Sequence, residues 1–94
     1  MNIRDVSTDT ALGFIAYDDD GTRLGCIHAS DNTIRQLDVV PDRQREGIGT
    51  ALLAAVVSRC EPGSELEVTA RGDGERFYLR RGFQSTCRFR LRVP

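Results

Sequence analysis

Ninety-four residues make one domain, residues 1–94, with room for a single hydrophobic core. Apolar residues are 39%, charged residues 29%, and twelve residues are Pro or Gly, a globular balance that excludes intrinsic disorder and collagen-like repeats. The formal charge of −1 is unevenly spread, with eight Asp against three Arg in residues 1–42 and seven Arg against Asp73 and Glu75 in residues 71–94.

Taken in chain order, Ile3–Val6 is a candidate for an additional first strand. Ala11–Tyr17 and Leu24–Ala29 are apolar runs on either side of Asp18-Asp19-Asp20-Gly21, the pattern of an antiparallel hairpin. Asp31-Asn32 marks the next turn, and Thr33–Val40 is a third strand stopped by Pro41. The period then changes. In Glu46–Cys60, residues Ile48, Ala51, Leu52, Ala55 and Val56 form one helical stripe, widened by Leu53 and Val57. Pro62-Gly63 ends that helix, and Glu65–Ala70 alternates as a strand. Glu75–Arg81 reads as a short helix with Asp73 as N-cap and Gly82 just past its end. In the final segment Cys87, Phe89, Leu91 and Val93 alternate with Arg88, Arg90 and Arg92, a strand with a solvated arginine face. The order β-β-β-α-β-α-β describes an α+β fold with a mostly antiparallel sheet and two helices.

The longest apolar run, Ala51–Val57, is far too short to cross a bilayer, and Met1–Asp5 has no features of a secretory signal, so the expected location is the cytoplasm. Cys26, Cys60 and Cys87 contain no C-x-x-C pair and the one histidine, His28, has no Cys or His nearby, so no metal is expected. Net charge of −1 and 6% aromatic content give no support to nucleic-acid binding by the arginine strand.

The most specific stretch is Val39–Leu53, VVPDRQREGIGTALL. A strand ends at a proline, and after a short loop Gly47 and Gly49 sit at the start of a hydrophobic helix. Free amides in that first turn, beside glycines that lack a Cβ, suit an anion. A Walker loop would need a lysine, and the chain has none. A Rossmann fingerprint would need Gly or Ala where Leu52 stands. The pattern that fits is Q/R-x-x-G-x-G/A, met by Gln44-Arg45-Glu46-Gly47-Ile48-Gly49. Tight helix packing is the competing account of the two glycines.

Over residues 11–85 the sequence resembles the GNAT superfamily of N-acetyltransferases. Two motifs carry the resemblance, LDVVPDRQREGIGTALL (Leu37–Leu53) and ERFYLRRGF (Glu75–Phe83), separated by one strand. The resemblance implies acetyl-CoA as cosubstrate, with backbone groups of Gln44, Arg45, Glu46, Gly47, Ile48, Gly49 and Thr50 around the pyrophosphate. It implies that Leu37 and Val39 offer backbone groups to the pantetheine arm, in a slot where their strand parts from Glu65–Ala70. Tyr78 falls at the position of the family's general acid, where a half-buried core aromatic is the plainer account. Arg43 and Arg45 flank the phosphate site and are either CoA-phosphate partners or ordinary exposed arginines.

Two departures from the pattern matter. The usual pair of helices after the first strand has no counterpart, so the acceptor groove should be open, or closed by another subunit. Thr33 stands where some family members carry a glutamate base. Strand alternation places Asp38 on the face opposite Thr33, Arg35 and Leu37, which leaves His28 on the neighbouring strand as a candidate proton acceptor, where a solvated histidine is the plainer account. The resemblance therefore implies transfer of an acetyl group to a primary amine, of a small molecule or a peptide, by direct attack in a ternary complex. The missing base and helices leave a second reading open, an acyl-CoA-binding sensor or partner-docking module. The opposed charges of the two ends suit a homodimer.

Overall fold

The structure is a computed structural model that describes all residues except 45, 86 and 87. Arg45, expected at the phosphate site, and Cys87, expected in the last strand, lie outside the described residues. The elements are β1 (Asn2–Asp5), β2 (Leu12–Tyr17), β3 (Arg23–Ser30), β4 (Thr33–Val39), a single 3-10 turn (Pro41–Arg43), α1 (Ile48–Arg59), β5 (Glu65–Val68), α2 (Asp73–Arg80), β6 (Gln84–Ser85) and β7 (Phe89–Arg92). The expected α+β order is present, with β1 and the two-residue β6 added.

The sheet runs β1-β2-β3-β4-β5-β7-β6. Its pairs are antiparallel except β4 with β5, which α1 joins as a parallel crossover. Local turn chemistry sets the meander. Asp31 and Asn32 have φ of 51° and 54°, the two left-handed residues of a type I′ hairpin turn. At the other end of β3, the Asp18 amide donates to Thr22 O while Gly21 takes φ +88°, so the acidic run is a four-residue turn.

One face of the sheet is dry. Phe14, Ala16, Ile27, Ile34, Leu66, Val68 and Phe89 point to it, and Ile48, Leu52, Leu53 and Val56 of α1 cover it. Leu52 and Val56 have no exposed surface, and each such side chain contributes roughly 1.5–3 kcal/mol of transfer free energy. Tyr78 of α2 and Phe83 complete the same core. The C-terminus of α2 closes as expected: Gly82 has φ +92°, its amide bonds Leu79 O, and the Phe83 amide bonds Tyr78 O, a Schellman pair. Its N-terminus differs from expectation. Gly72 is the cap residue and Asp73 the first helical residue, with no side-chain cap bond.

One further expectation is corrected. A bulge in the β3–β4 ladder between His28 and Ala29 gives β4 one extra residue, because His28 pairs with Gln36 and Ala29 with Ile34. Side-chain parity flips there. Ile34 is buried, and beyond the bulge Leu37 and Val39 pack on the core while Gln36 and Asp38 are exposed. Asp38 therefore shares the outward face with Thr33 and Arg35, and Leu37 does not. The terminal arginines form the solvated face expected of them, and they are also paired. Arg88 and Arg90 each reach Glu67 at 3.2 Å, and Arg90 and Arg92 reach Glu65 at 4.0 and 3.8 Å.

Candidate functional site

β4 and β5 are joined only at Thr33 with Glu67 and Ile34 with Val68. The closed end is fixed by Asn32, whose carbonyl accepts from the Glu67 amide and whose side-chain amide donates to Ser64 Oγ and Glu65 O. Past Ile34 the two strands separate, and the remaining length of β4 has no partner on that side. The Val40 amide donates to Leu24 O at 2.9 Å, so residues 40, 38 and 36 turn their backbone groups toward β3. Leu37 and Val39 then turn theirs into the split. One of these groups is already engaged, since Gln44 Nε2 donates to Val39 O at 3.2 Å. A carbonyl has two lone pairs, so a second donor can still be accepted there.

The split leads to the start of α1. Gly47 holds the cap position in the left-handed region (φ 84°, ψ 5°) and no side chain caps the helix. The first intrahelical bond runs from the Ala51 amide to Gly47 O, so the amides of Ile48, Gly49 and Thr50 lack intrahelical partners. The two glycines have separate causes. Gly47 needs its positive φ, whereas a Cβ on Gly49 would lie 3.1 Å from the Phe77 ring. Helix packing thus accounts for Gly49.

Charges around this loop divide into two sets. Arg43 donates to Glu46 Oε1 and Oε2 at 3.0 and 2.9 Å and to Asp18 Oδ2 at 3.0 Å, tying the β2–β3 turn to the loop before α1. The Arg43 guanidinium and the Asp19 amide, as hydrogen-bond donors, hold the Asp18 carboxyl below the usual carboxylate range. Arg43 is therefore engaged by two carboxylates beside the phosphate site. Arg81 was missed by sequence reasoning and is placed differently. It donates to Thr50 Oγ1 from Nε at 2.8 Å and from Nη2, donates to Phe77 O at 2.8 Å, and stacks 3.8 Å above the Phe77 ring. Among the described residues it makes no ion pair with a carboxylate. Only the fold brings residue 81 beside residue 50, so no local pattern could have exposed it.

Tyr78 is 5% exposed, with its ring edge-on to Phe77 and Phe83 at 5.0 Å each. Burial pushes its pKa up to about 12, so the phenol is a proton-bearing donor across the neutral range. Cys60, at the far end of α1, has its thiol pushed up by burial and is a weak nucleophile.

Both helices lie on one sheet face, so the split is reached from the other. On that open face, β3 and β4 place Cys26 opposite Asp38 and His28 opposite Gln36. A shallow hollow of 260 Å³ adjoins them, bounded by Val6, Gly13, Ile15, Cys26 and His28. Among the described residues no group of three or more His, Cys, Asp or Glu could hold a metal ion.

Residues 3–90 match the family model of the acetyltransferase (GNAT) domain. No curated protein matches the chain. Among solved structures, a GNAT-family protein of Desulfovibrio desulfuricans, assigned as an acetyltransferase, is 28% identical with TM-score 0.76, covering 90% of this chain and 70% of that one. A protein of Exiguobacterium sp. 255-15, also assigned as an acetyltransferase, is 26% identical with TM-score 0.72, covering 92% and 65%. A GNAT-family acetyltransferase of Staphylococcus aureus Mu50 shares the fold at 17% identity and TM-score 0.73, covering 87% and 66%. The chain thus spans about two thirds of the length of these structures. With the family model matched over residues 3–90, nearly its full length, the chain belongs to the GNAT acetyltransferase family.

Proposed function

We propose that the chain binds acetyl-CoA and transfers its acetyl group to a primary amine by direct attack in a ternary complex. The observation that carries this reading is the split between β4 and β5, into which Leu37 and Val39 turn their backbone groups and which leads to the three α1 amides without intrahelical partners. Pantetheine would pair with β4 as an added strand, and the pyrophosphate would meet the amides of residues 44–50. The helix dipole there is worth about 0.3–1 kcal/mol per charge. The Leu37 amide would face the thioester oxygen and stabilise the tetrahedral oxyanion.

Tyr78 has a narrower role than a full general acid. With a pKa near 12 against about 8.5 for an ordinary thiol, complete proton transfer to the departing thiolate is uphill. A hydrogen bond to that sulfur as charge develops is not. Holding the two reactants in register can supply roughly 7–11 kcal/mol of the barrier, more than the 10²–10⁴ in rate that a dedicated base gives, so positioning is the main contribution.

A second reading, an acyl-CoA-binding sensor, is favoured by Thr33, which has no carboxylate and whose hydroxyl is bonded to Asp31 O at 3.3 Å. One experiment separates the two. Acetyl-CoA is incubated with the protein and a panel of primary amines while free thiol is followed. Amine-dependent thiol release is the expected result, whereas CoA binding without release on any amine would establish the sensor.

A further inference from the structure

From the open face of the sheet we infer an acceptor site that takes a cationic alkylamine, with Asp38 receiving the ammonium, His28 accepting its proton and the adjoining apolar hollow holding its carbon chain. The inference rests on the acetyl-transfer reading and extends it to the second substrate. An amine can reach a thioester lying in the β4–β5 split only from the face that α1 and α2 leave uncovered. On that face, the side chains flanking Leu37 along β4 are Gln36 and Asp38, brought outward by the bulge at residue 35. Leu37 is the residue whose amide would face the thioester oxygen, so these two side chains stand on either side of the reacting carbonyl.

The antiparallel register completes the cluster. His28 pairs with Gln36 and Cys26 with Asp38, so His28 and Asp38 are diagonal neighbours, about 7–8 Å apart at Cα and within reach of one small group between their side chains. His28 is exposed. Gln36 Nε2 donates to Asp38 Oδ2, which orients the carboxylate and leaves lone pairs for an ammonium. The hollow beside them is lined by Val6, Ile15 and Cys26 as well as His28, with Arg23 also on its lining, and at 260 Å³ it suits a short chain. Arg35 is turned back to Ser30, donating to its Oγ at 3.0 Å, and so does not put a competing cation beside Asp38.

The proton count balances. The ammonium donates a hydrogen bond to Asp38 and gives one proton to the His28 imidazole, which returns it to solvent. The neutral amine forms the new C–N bond, the C–S bond breaks, and a second nitrogen proton passes to the sulfur. The products are an amide, CoA thiol and one proton.

Because His28 is the single histidine of the chain, its ring gives one imidazole signal in an NMR spectrum. With CoA present, n-butylamine should shift that signal, whereas butan-1-ol, which has the same chain and no ammonium for Asp38, should shift it at least tenfold more weakly. Asp38→Asn should raise the KM for n-butylamine about tenfold while the CoA Kd stays within twofold, and His28→Gln should lower kcat with little change in KM. Thiol release with n-butylamine and an unmoved His28 signal would overturn the acceptor site while leaving acetyl transfer intact. CoA binding without turnover on any amine would overturn the transfer reading and this inference together.

Discussion

Tyr78 fills the core between Phe77 and Phe83, and the proposed function would also ask it to present its phenol to the departing sulfur. Those demands conflict at high pH. In the unfolded chain the phenol ionises near 10, and in the fold burial holds it to about 12. The folded state therefore keeps a proton that the unfolded state loses, so stability is full below pH 10 and declines as pH rises from 10 to 12. The limit is roughly 2.7 kcal/mol, at about 1.36 kcal/mol per unit. Tyr78→Phe has no such proton to lose. Urea unfolding at pH 8 and pH 11 should show the variant losing about 1 kcal/mol less than the wild type. Equal losses would mean that the hydroxyl is well hydrated and that the hydrogen bond proposed to sulfur would be no stronger than one made by water.

At the scale of elements, the working surface of β4 depends on how closely β3 approaches it. A Cβ on Gly25 would lie 2.4 Å from Asp38 O and 3.2 Å from Val39 Cα, and both are backbone atoms that cannot step aside. Gly25→Ala should push β3 and β4 apart, cost roughly 1–3 kcal/mol as an overpacking change, and displace the backbone of residues 37–39. A fall in the denaturant midpoint with reduced CoA affinity is the expected pair of results; an unchanged midpoint would mean that the ladder absorbs the methyl group. The same element shows what could be read from sequence. The hairpin turns, the α1 stripe and the Gly82 cap are local rules, met by residues one to four apart, and all appear where expected. The bulge is not local, since it exists only in the pairing of His28 and Ala29 with β4, and with it went the facing of Asp38. Arg81 beside Thr50, and Glu67 beside Thr33, likewise depend on how distant elements are brought together, which no single-chain periodicity encodes. Gly49 carries a packing demand, set by the Phe77 ring, that is equally invisible in the local pattern.

At the scale of the whole molecule, part of the opposed charge of the two ends is answered within the chain. The Asp-rich N-terminal part pairs with arginines of the middle segment, Asp18 with Arg43 and Asp5 with Arg59, while the C-terminal arginines pair with Glu65 and Glu67. Neither end is left with its full charge to attract a second copy. Self-association would instead use apolar surface, which the fold provides at β1. All four residues of that edge strand are exposed, Ile3 is 37% and Val6 44% exposed, and one side of the strand is unpaired. Charge-driven and apolar contacts respond oppositely to salt. Raising ionic strength from about 0.01 to 1 M shortens the screening length from about 30 to 3 Å, which would dissolve a dimer joined by its charged ends and leave an apolar one in place. Sedimentation over a concentration series at both ionic strengths should therefore give the same association constant within about threefold. A constant that collapses at high salt would show that the internal ion pairs are too weak to hold the charges, and that the two ends meet between molecules.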